Sequence, residues 1–453
     1  MKHVELLSPA GSLKNMEYAF AYGANAVYAG QPRYSLRVRE NEFNHLENLA
    51  KGIEYAHARG KQFYIASNIS PHNDKVRSYL RDMADVIAMK PDALIMADPG
   101  LIMMVRETWP DMPVHLSVQA NAVNWATVKF WQKQGLTRVI LSRELAIEEI
   151  EEIKQRVPEM ELEVFVHGAL CIAYSGRCLL SGYMTHRDSN QGACTNSCRW
   201  KYSTHKAEQS AEGEIRPVKP IVETFEPEQP PEQDEVQPLY LLQEKSRPGE
   251  YMPAYEDEHG TYIMNSKDLR AVQHVKRLID IGVDSLKIEG RTKSYYYVAR
   301  TAQVYRQAID DALAGKDFDM NLMDELEGMA NRGFTEGFYR RHLPDEYQNY
   351  ENGNSVSNKQ IYVADVTVKN PAQPTLTLTL EVKNKIEQGD SLTLLTPQGN
   401  FNFPLTAMRN AKNQQPLTAA LGTGYFVEVD VPELAAANFS SEALNRGLVV
   451  RNF

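Results

Sequence analysis

Residues 4–28 read VELLSPAGSLKNMEYAFAYGANAVY. An apolar run at 4–7 gives way to helical spacing over 12–22, and a second β-rich run begins at Ala26. Strand, helix, strand within so few residues predicts a parallel βαβ step, because a crossover must carry the chain back to the start of a parallel neighbour. The step repeats outward from this segment. Further β-rich runs stand at 62–66, 93–96, 113–116, 138–141 and 161–166, with helical stretches such as 45–58 and 147–157 between them. An eighth run, 285–288, follows a helical pattern over 268–281. The sequence therefore predicts an α/β fold, a TIM-like (β/α)8 barrel, with an open doubly wound sheet as the alternative.

The gap between the seventh and eighth strands holds the cysteines and then an acidic stretch, 206–259, that includes FEPEQPPEQDEVQP. Such a composition buries little apolar surface and predicts a flexible insertion, with a short strand near 239–242. Helical patterns resume at 295–314 and 320–330. From Gln360 the runs 361–368, 375–382, 391–395, 425–431 and 447–450 are β-branched or alternating. The predicted organisation is a barrel over 1–335, a linker over 336–358 and a small C-terminal all-β domain, a β-barrel or sandwich, over 359–453.

Of the 453 residues 43% are hydrophobic, enough for a sizeable core. The first residues carry no long apolar stretch, and no run of eighteen apolar residues occurs, so a cytoplasmic protein without a membrane span is expected. The net charge of −10 is uneven. Residues 206–259 contain 5 Lys+Arg and 14 Asp+Glu, or −9, which leaves −1 for the rest. Overall acidity therefore does not exclude a local basic surface for RNA.

All four cysteines, Cys171, Cys178, Cys194 and Cys198, fall within 28 residues as C-x6-C-x15-C-x3-C. Disulfides are rare in a reduced cytosol. Four thiolates suit structural zinc, but zinc sites usually pair two C-x2-C knuckles. Irregular spacing favours an iron–sulfur cluster wrapped by a loop, with zinc as the competitor. Cys171 follows the seventh strand, so the ligands belong to the C-terminal mouth, the face where such barrels do chemistry.

The run Glu163-Val-Phe165-Val-His167-Gly168-Ala169-Leu170-Cys171, continuing to Cys178, resembles the signature of the collagenase-like peptidase family U32. The opening Glu5–Gly11 stretch and the late Ser285-Leu-Lys287-Ile-Glu289-Gly290-Arg291 resemble that family too, and the likeness runs into the β domain. Members most similar to this chain imply oxygen-independent hydroxylation of the wobble uridine of tRNA to 5-hydroxyuridine. The resemblance also implies a [4Fe–4S] cluster on the four cysteines and prephenate as co-substrate. tRNA and an electron donor protein are the implied partners. The peptidase name finds no support in motifs: neither H-E-x-x-H nor G-x-S-x-G occurs. A peptidase and a zinc-stabilised RNA-binding scaffold are the alternatives.

Strand ends nominate the remaining residues. A dicarboxylate such as prephenate calls for cations, and Arg143, Lys287 and Arg291 stand after strands six and eight. Asn68, Gln119 and Asn121 are polar groups after strands three and five, placed to bind a substrate or to cap a helix. Glu289 is the candidate general acid or base, and His167 a catalytic residue or a partner of the cluster. Glu5 is expected in an internal polar layer, and Asp98 in a turn or cap. Arg177, Arg187, Arg199, Lys201 and Lys206, with Tyr174, Tyr183, Trp200 and Tyr202, form a basic and aromatic set suited to RNA.

Overall fold

The computed structural model describes residues 3–36, 42–170, 202–209, 215–217, 240–244, 251–254, 256–257, 260–261, 267–331, 333–340, 359–367 and 377–453. Seven strands run in chain order: β1 (Glu5–Pro9), β2 (Ala26–Gly30), β3 (Gln62–Ser67), β4 (Ala93–Met96), β5 (Val114–Leu116), β6 (Arg138–Ile140) and β7 (Glu161–Ala169). Each pairs in parallel with the next. Ser285–Ile288 pairs in parallel with both β1 and β7, which closes the barrel.

Three of the helices between the strands start where a short polar side chain satisfies a free amide. Ser12 accepts from Asn15 N ahead of Leu13–Ala21, and Asn124 accepts from Thr127 N ahead of Trp125–Lys133. Asp98 likewise accepts from Leu101 N at 2.9 Å, so it is a helix cap as its Asp-Pro-Gly context implies.

Three expectations change. The pattern over 268–281 is not one helix. Asp268–Arg270 is a strand antiparallel to the end of β7, and the helix begins only at Val275. The strand Phe334–Thr335 adds to it in parallel. Within 206–259, expected as a flexible insertion with a short strand near 239–242, that strand is Tyr240–Glu244, and more strands join it than expected: it pairs with Tyr251–Ala254 and with Tyr202–Gln209, which also pairs with Ile215–Pro217. The proline- and glutamate-rich middle lies outside the described residues. Finally, the linker starts later than position 336, because buried Tyr339 donates its hydroxyl to Phe165 O at 2.6 Å.

The C-terminal domain is an eight-stranded antiparallel sheet with a two-stranded ribbon, Asn384–Glu387 with Ala419–Gly422. It has its own core, in which Val363, Leu380, Leu392 and Val427 are fully buried. Its Leu395, Leu448 and Val450 join the barrel core. Tyr22 anchors the contact, its hydroxyl lying 2.9 Å from Leu395 O and 2.8 Å from Arg446 O. No helix among the described residues is long and apolar enough to cross a membrane.

Candidate functional site

Strand alternation turns Glu5, Tyr64, His115, Arg138, Glu163 and Lys287 toward the barrel interior, where they meet. Arg138 donates to Glu5 Oε1 at 2.6 Å and to Glu163 Oε2 at 3.2 Å. Lys287 Nζ donates to Glu163 Oε1 at 2.6 Å. Tyr64 and Ser285 add hydroxyl hydrogen bonds to Glu5 at 2.6 and 2.7 Å. All four charged side chains are buried. Glu5 thus lies in an internal polar layer, as expected. His115 stands edge-on to Tyr64 with its Nδ1 unpartnered among the described residues. Burial, with Arg138 and Lys287 nearby, holds its imidazole neutral far below its usual range.

Above this layer two aromatic rings gather the three predicted cations. Lys287 Nζ lies 4.3 Å from the Tyr28 ring centre and 5.5 Å from that of Phe165. The Arg143 guanidinium lies 3.9 Å from the Phe165 ring centre, and that of Arg291 5.7 Å from the Tyr28 ring centre. A barrel-end salt bridge from Arg143 to Glu144 or Glu289 does not form; its charge rests on an aromatic face instead. Arg291 is fixed by donating to Ser35 Oγ at 2.7 Å. Lys287 sits deeper than its strand-end position suggests, committed to Glu163 and only 3% exposed.

The end of β7 departs from simple alternation. The register against Ser285–Ile288 shifts between Lys287 and Ile288, so that Phe165 faces Lys287 but His167 faces Ile288. The extra residue is a bulge, and it turns His167 out of the interior toward the helix Tyr295–Leu313. His167 is packed among Tyr297, Tyr305 and Phe334, with ring centres 5.5 to 5.8 Å away. Burial pushes its pKa down to about 3. The Tyr305 hydroxyl lies 3.4 Å from its Nδ1. Gly168, at φ +105°, lets β7 pass close to Glu289, whose carbonyl oxygen would lie 2.6 Å from any Cβ there. Glu289 is half-buried; its N–H donates to His167 O and its carbonyl accepts from Tyr297.

The polar rim residues tie strand ends together. Asn68 Nδ2 donates to Ser117 Oγ at 3.3 Å, and Asn121 Nδ2 reaches Ser142 Oγ at 3.5 Å. Gln119 donates its backbone N–H to Ser117 Oγ at 3.4 Å, within a turn that ends on Asn121 at φ +51°. Cys171, Cys178, Cys194 and Cys198 lie outside the described residues, as do Arg177, Arg187, Arg199, Lys201 and the aromatics among them. Ala169 closes β7 two positions before Cys171, so the chain enters the cysteine stretch from the C-terminal mouth.

Residues 11–349 match Peptidase family U32, and residues 358–440 match the Peptidase family U32 C-terminal domain. The chain belongs to peptidase family U32. Among members of the family, "tRNA hydroxylation protein P" of Escherichia coli strain K12 is 60% identical over 99% of this chain and 97% of its own length. The protein of the same name from Haemophilus influenzae is also 60% identical, over 99% and 97%. "23S rRNA 5-hydroxycytidine C2501 synthase" of Escherichia coli K12 is 29% identical over 78% of this chain and 44% of its own length.

Four site residues escaped sequence reasoning: Arg138, Glu163, Phe165 and Tyr28. A signal existed for Glu163 and Arg138, since charged residues inside strands bounded by apolar neighbours must be paired when buried. Nothing in the sequence marks the two rings, which matter only because the barrel brings them between cations.

Proposed function

We propose that this chain hydroxylates tRNA, converting the wobble uridine to 5-hydroxyuridine without oxygen and with prephenate as the hydroxyl source. The observation that carries the reading is the likeness over almost the whole chain to proteins named for tRNA hydroxylation. A relative named as an rRNA 5-hydroxycytidine synthase supports the same class of chemistry, hydroxylation of a pyrimidine in RNA.

The residues at the mouth suit the proposed donor. Prephenate carries two carboxylates, and Arg143 and Arg291 present two cationic groups beside the Phe165 and Tyr28 rings, with Lys287, paired to Glu163, beneath them. Asn68, Gln119 and Asn121 are polar groups at strand ends on the same mouth, Asn121 reaching Ser142 beside Arg143. Glu289, at the end of the closing strand, is the proposed acid or base for the uracil C5 proton.

Four cysteine thiolates are the donor set of a [4Fe–4S] cluster, and Cys171, Cys178, Cys194 and Cys198 are the residues to hold it. Exchange of the uracil C5 hydrogen for hydroxyl oxidises the base by two electrons, which the donor would take up as its C–OH bond becomes C–H; bound there, the cluster would relay those electrons, a redox role that amino-acid side chains lack. The test is an anaerobic iron and sulfide determination. About four of each per chain is expected, whereas zinc in their place overturns the cluster assignment.

A further inference from the structure

A cleft of about 340 Å³ opens beside the end of β7, lined by Lys267, Arg270, Gln273, Phe334, Thr335 and Glu336. It lies on the rim of the mouth, because Asp268, next to Lys267, pairs with Ala169 at the end of β7. Its walls are fixed. Arg270 donates to Glu327 at 2.6 Å and lies 4.7 Å from the Phe334 ring centre. Glu336 accepts from Gln273 at 3.2 Å, contacts His274 at 2.7 Å and has Arg340 at 3.5 Å.

The charges leave a remainder. Arg270 is balanced by Glu327, and Glu336 by Arg340. Lys267 has no carboxylate within ion-pair distance among the described residues, and its stem passes where a Cβ on Gly333 would meet it at 3.6 Å. One unbalanced ammonium on a rigid polar wall suits a single anionic oxygen group. A nucleotide that presents its base to the mouth must set its flanking phosphates on the rim around it.

We infer that this cleft is a phosphodiester subsite, in which Lys267 binds a backbone phosphate of the RNA beside the nucleotide entering the mouth. The inference rests on the RNA reading above. It assigns to the cleft affinity without sequence preference, since a phosphate contact positions the strand and carries no base information.

The test is fluorescence anisotropy of a labelled anticodon stem-loop on the full-length, anaerobically prepared protein at several salt concentrations. Lys267→Ala should weaken binding several-fold, equally for stem-loops of different sequence, and reduce the slope of log affinity against log salt by about 1. Lys267→Arg should restore both, and the iron content of each variant should match the parent. Inorganic phosphate at millimolar concentration should compete only weakly. Binding and salt slope unchanged in Lys267→Ala would overturn the subsite while leaving the RNA reading standing. Displacement of RNA by millimolar phosphate would assign the cleft to a small free anion instead. A parent protein that fails to bind the stem-loop would overturn both readings.

Discussion

The Lys287 ammonium stands 2.6 Å from Glu163 Oε1, and both side chains lie inside the barrel. Arg138 links that pair to Glu5, so two acids and two bases neutralise one another where such barrels ordinarily carry aliphatic layers. Burying ions costs several kcal/mol each, and their mutual attraction often does no more than offset that cost. Stability alone therefore gives little reason for the quartet. Its consequence is positional: it holds an ammonium group in one place beneath the Tyr28 and Phe165 rings.

Breaking the pair from one side should be costly. Glu163→Gln leaves Lys287 buried without its counter-charge and is expected to lower unfolding stability by about 3–5 kcal/mol. The double variant Glu163→Gln/Lys287→Met removes both charges and should recover most of that loss. Urea denaturation of the single and double variants measures the coupling, and additive losses would contradict it.

Two buried neutral histidines make the fold acid-sensitive. Burial lowers the pKa of His167 to about 3 and that of His115 well below the ordinary value. The unfolded chain takes up these protons near pH 6.5, whereas the folded chain refuses them. The unfolded state thus binds more protons below pH 6.5, so stability is complete above that pH and declines as the pH falls toward 3. Each histidine contributes about 1.4 kcal/mol per pH unit in that window. His115→Phe, which removes an unpartnered Nδ1, should flatten the decline measured by urea denaturation between pH 7 and 5. An unchanged slope would show that His115 is not held neutral.

Most of the architecture was readable because period and punctuation agreed. The βαβ repeat and the caps Ser12, Asp98 and Asn124 point the same way as the apolar runs. The strand Asp268–Arg270 was not readable, since it exists only by pairing with the extension of β7. Its apolar spacing runs on into a helix, and local pattern cannot separate the two. The three cations were legible as strand-end residues, but not the depth of Lys287. The outward turn of His167 depends on a one-residue bulge that leaves no mark in the sequence.

Gly168 holds the exit of β7 toward the cysteines. A Cβ there would stand 2.6 Å from Glu289 O and 3.0 Å from the Tyr297 hydroxyl, at a φ of +105° that side chains rarely adopt. Gly168→Ala should cost about 1–3 kcal/mol from backbone strain alone. Displacement of the strand end should also lower iron bound per chain after anaerobic purification. Full iron loading and unchanged unfolding would show that the exit geometry is not constrained.

Arg143 forms no ion pair among the described residues and lies outside the interior quartet, so its removal tests the proposed donor site without disturbing those four charges. Arg143→Ala should weaken prephenate binding about tenfold or more, the loss expected for a charge-assisted hydrogen bond. Isothermal calorimetry on anaerobic protein reads this directly. Equal affinity in parent and variant would remove Arg143 from the donor site.

The most direct measurement is mass spectrometry of nucleosides from total tRNA in a bacterium deprived of its own wobble-uridine hydroxylases and supplied with this gene. Restoration of 5-hydroxyuridine and its derivatives by the parent chain, with none from Cys194→Ser, is the predicted result. Failure of the parent to restore them while the folded chain accumulates, or full restoration by the cysteine variant, would contradict the account.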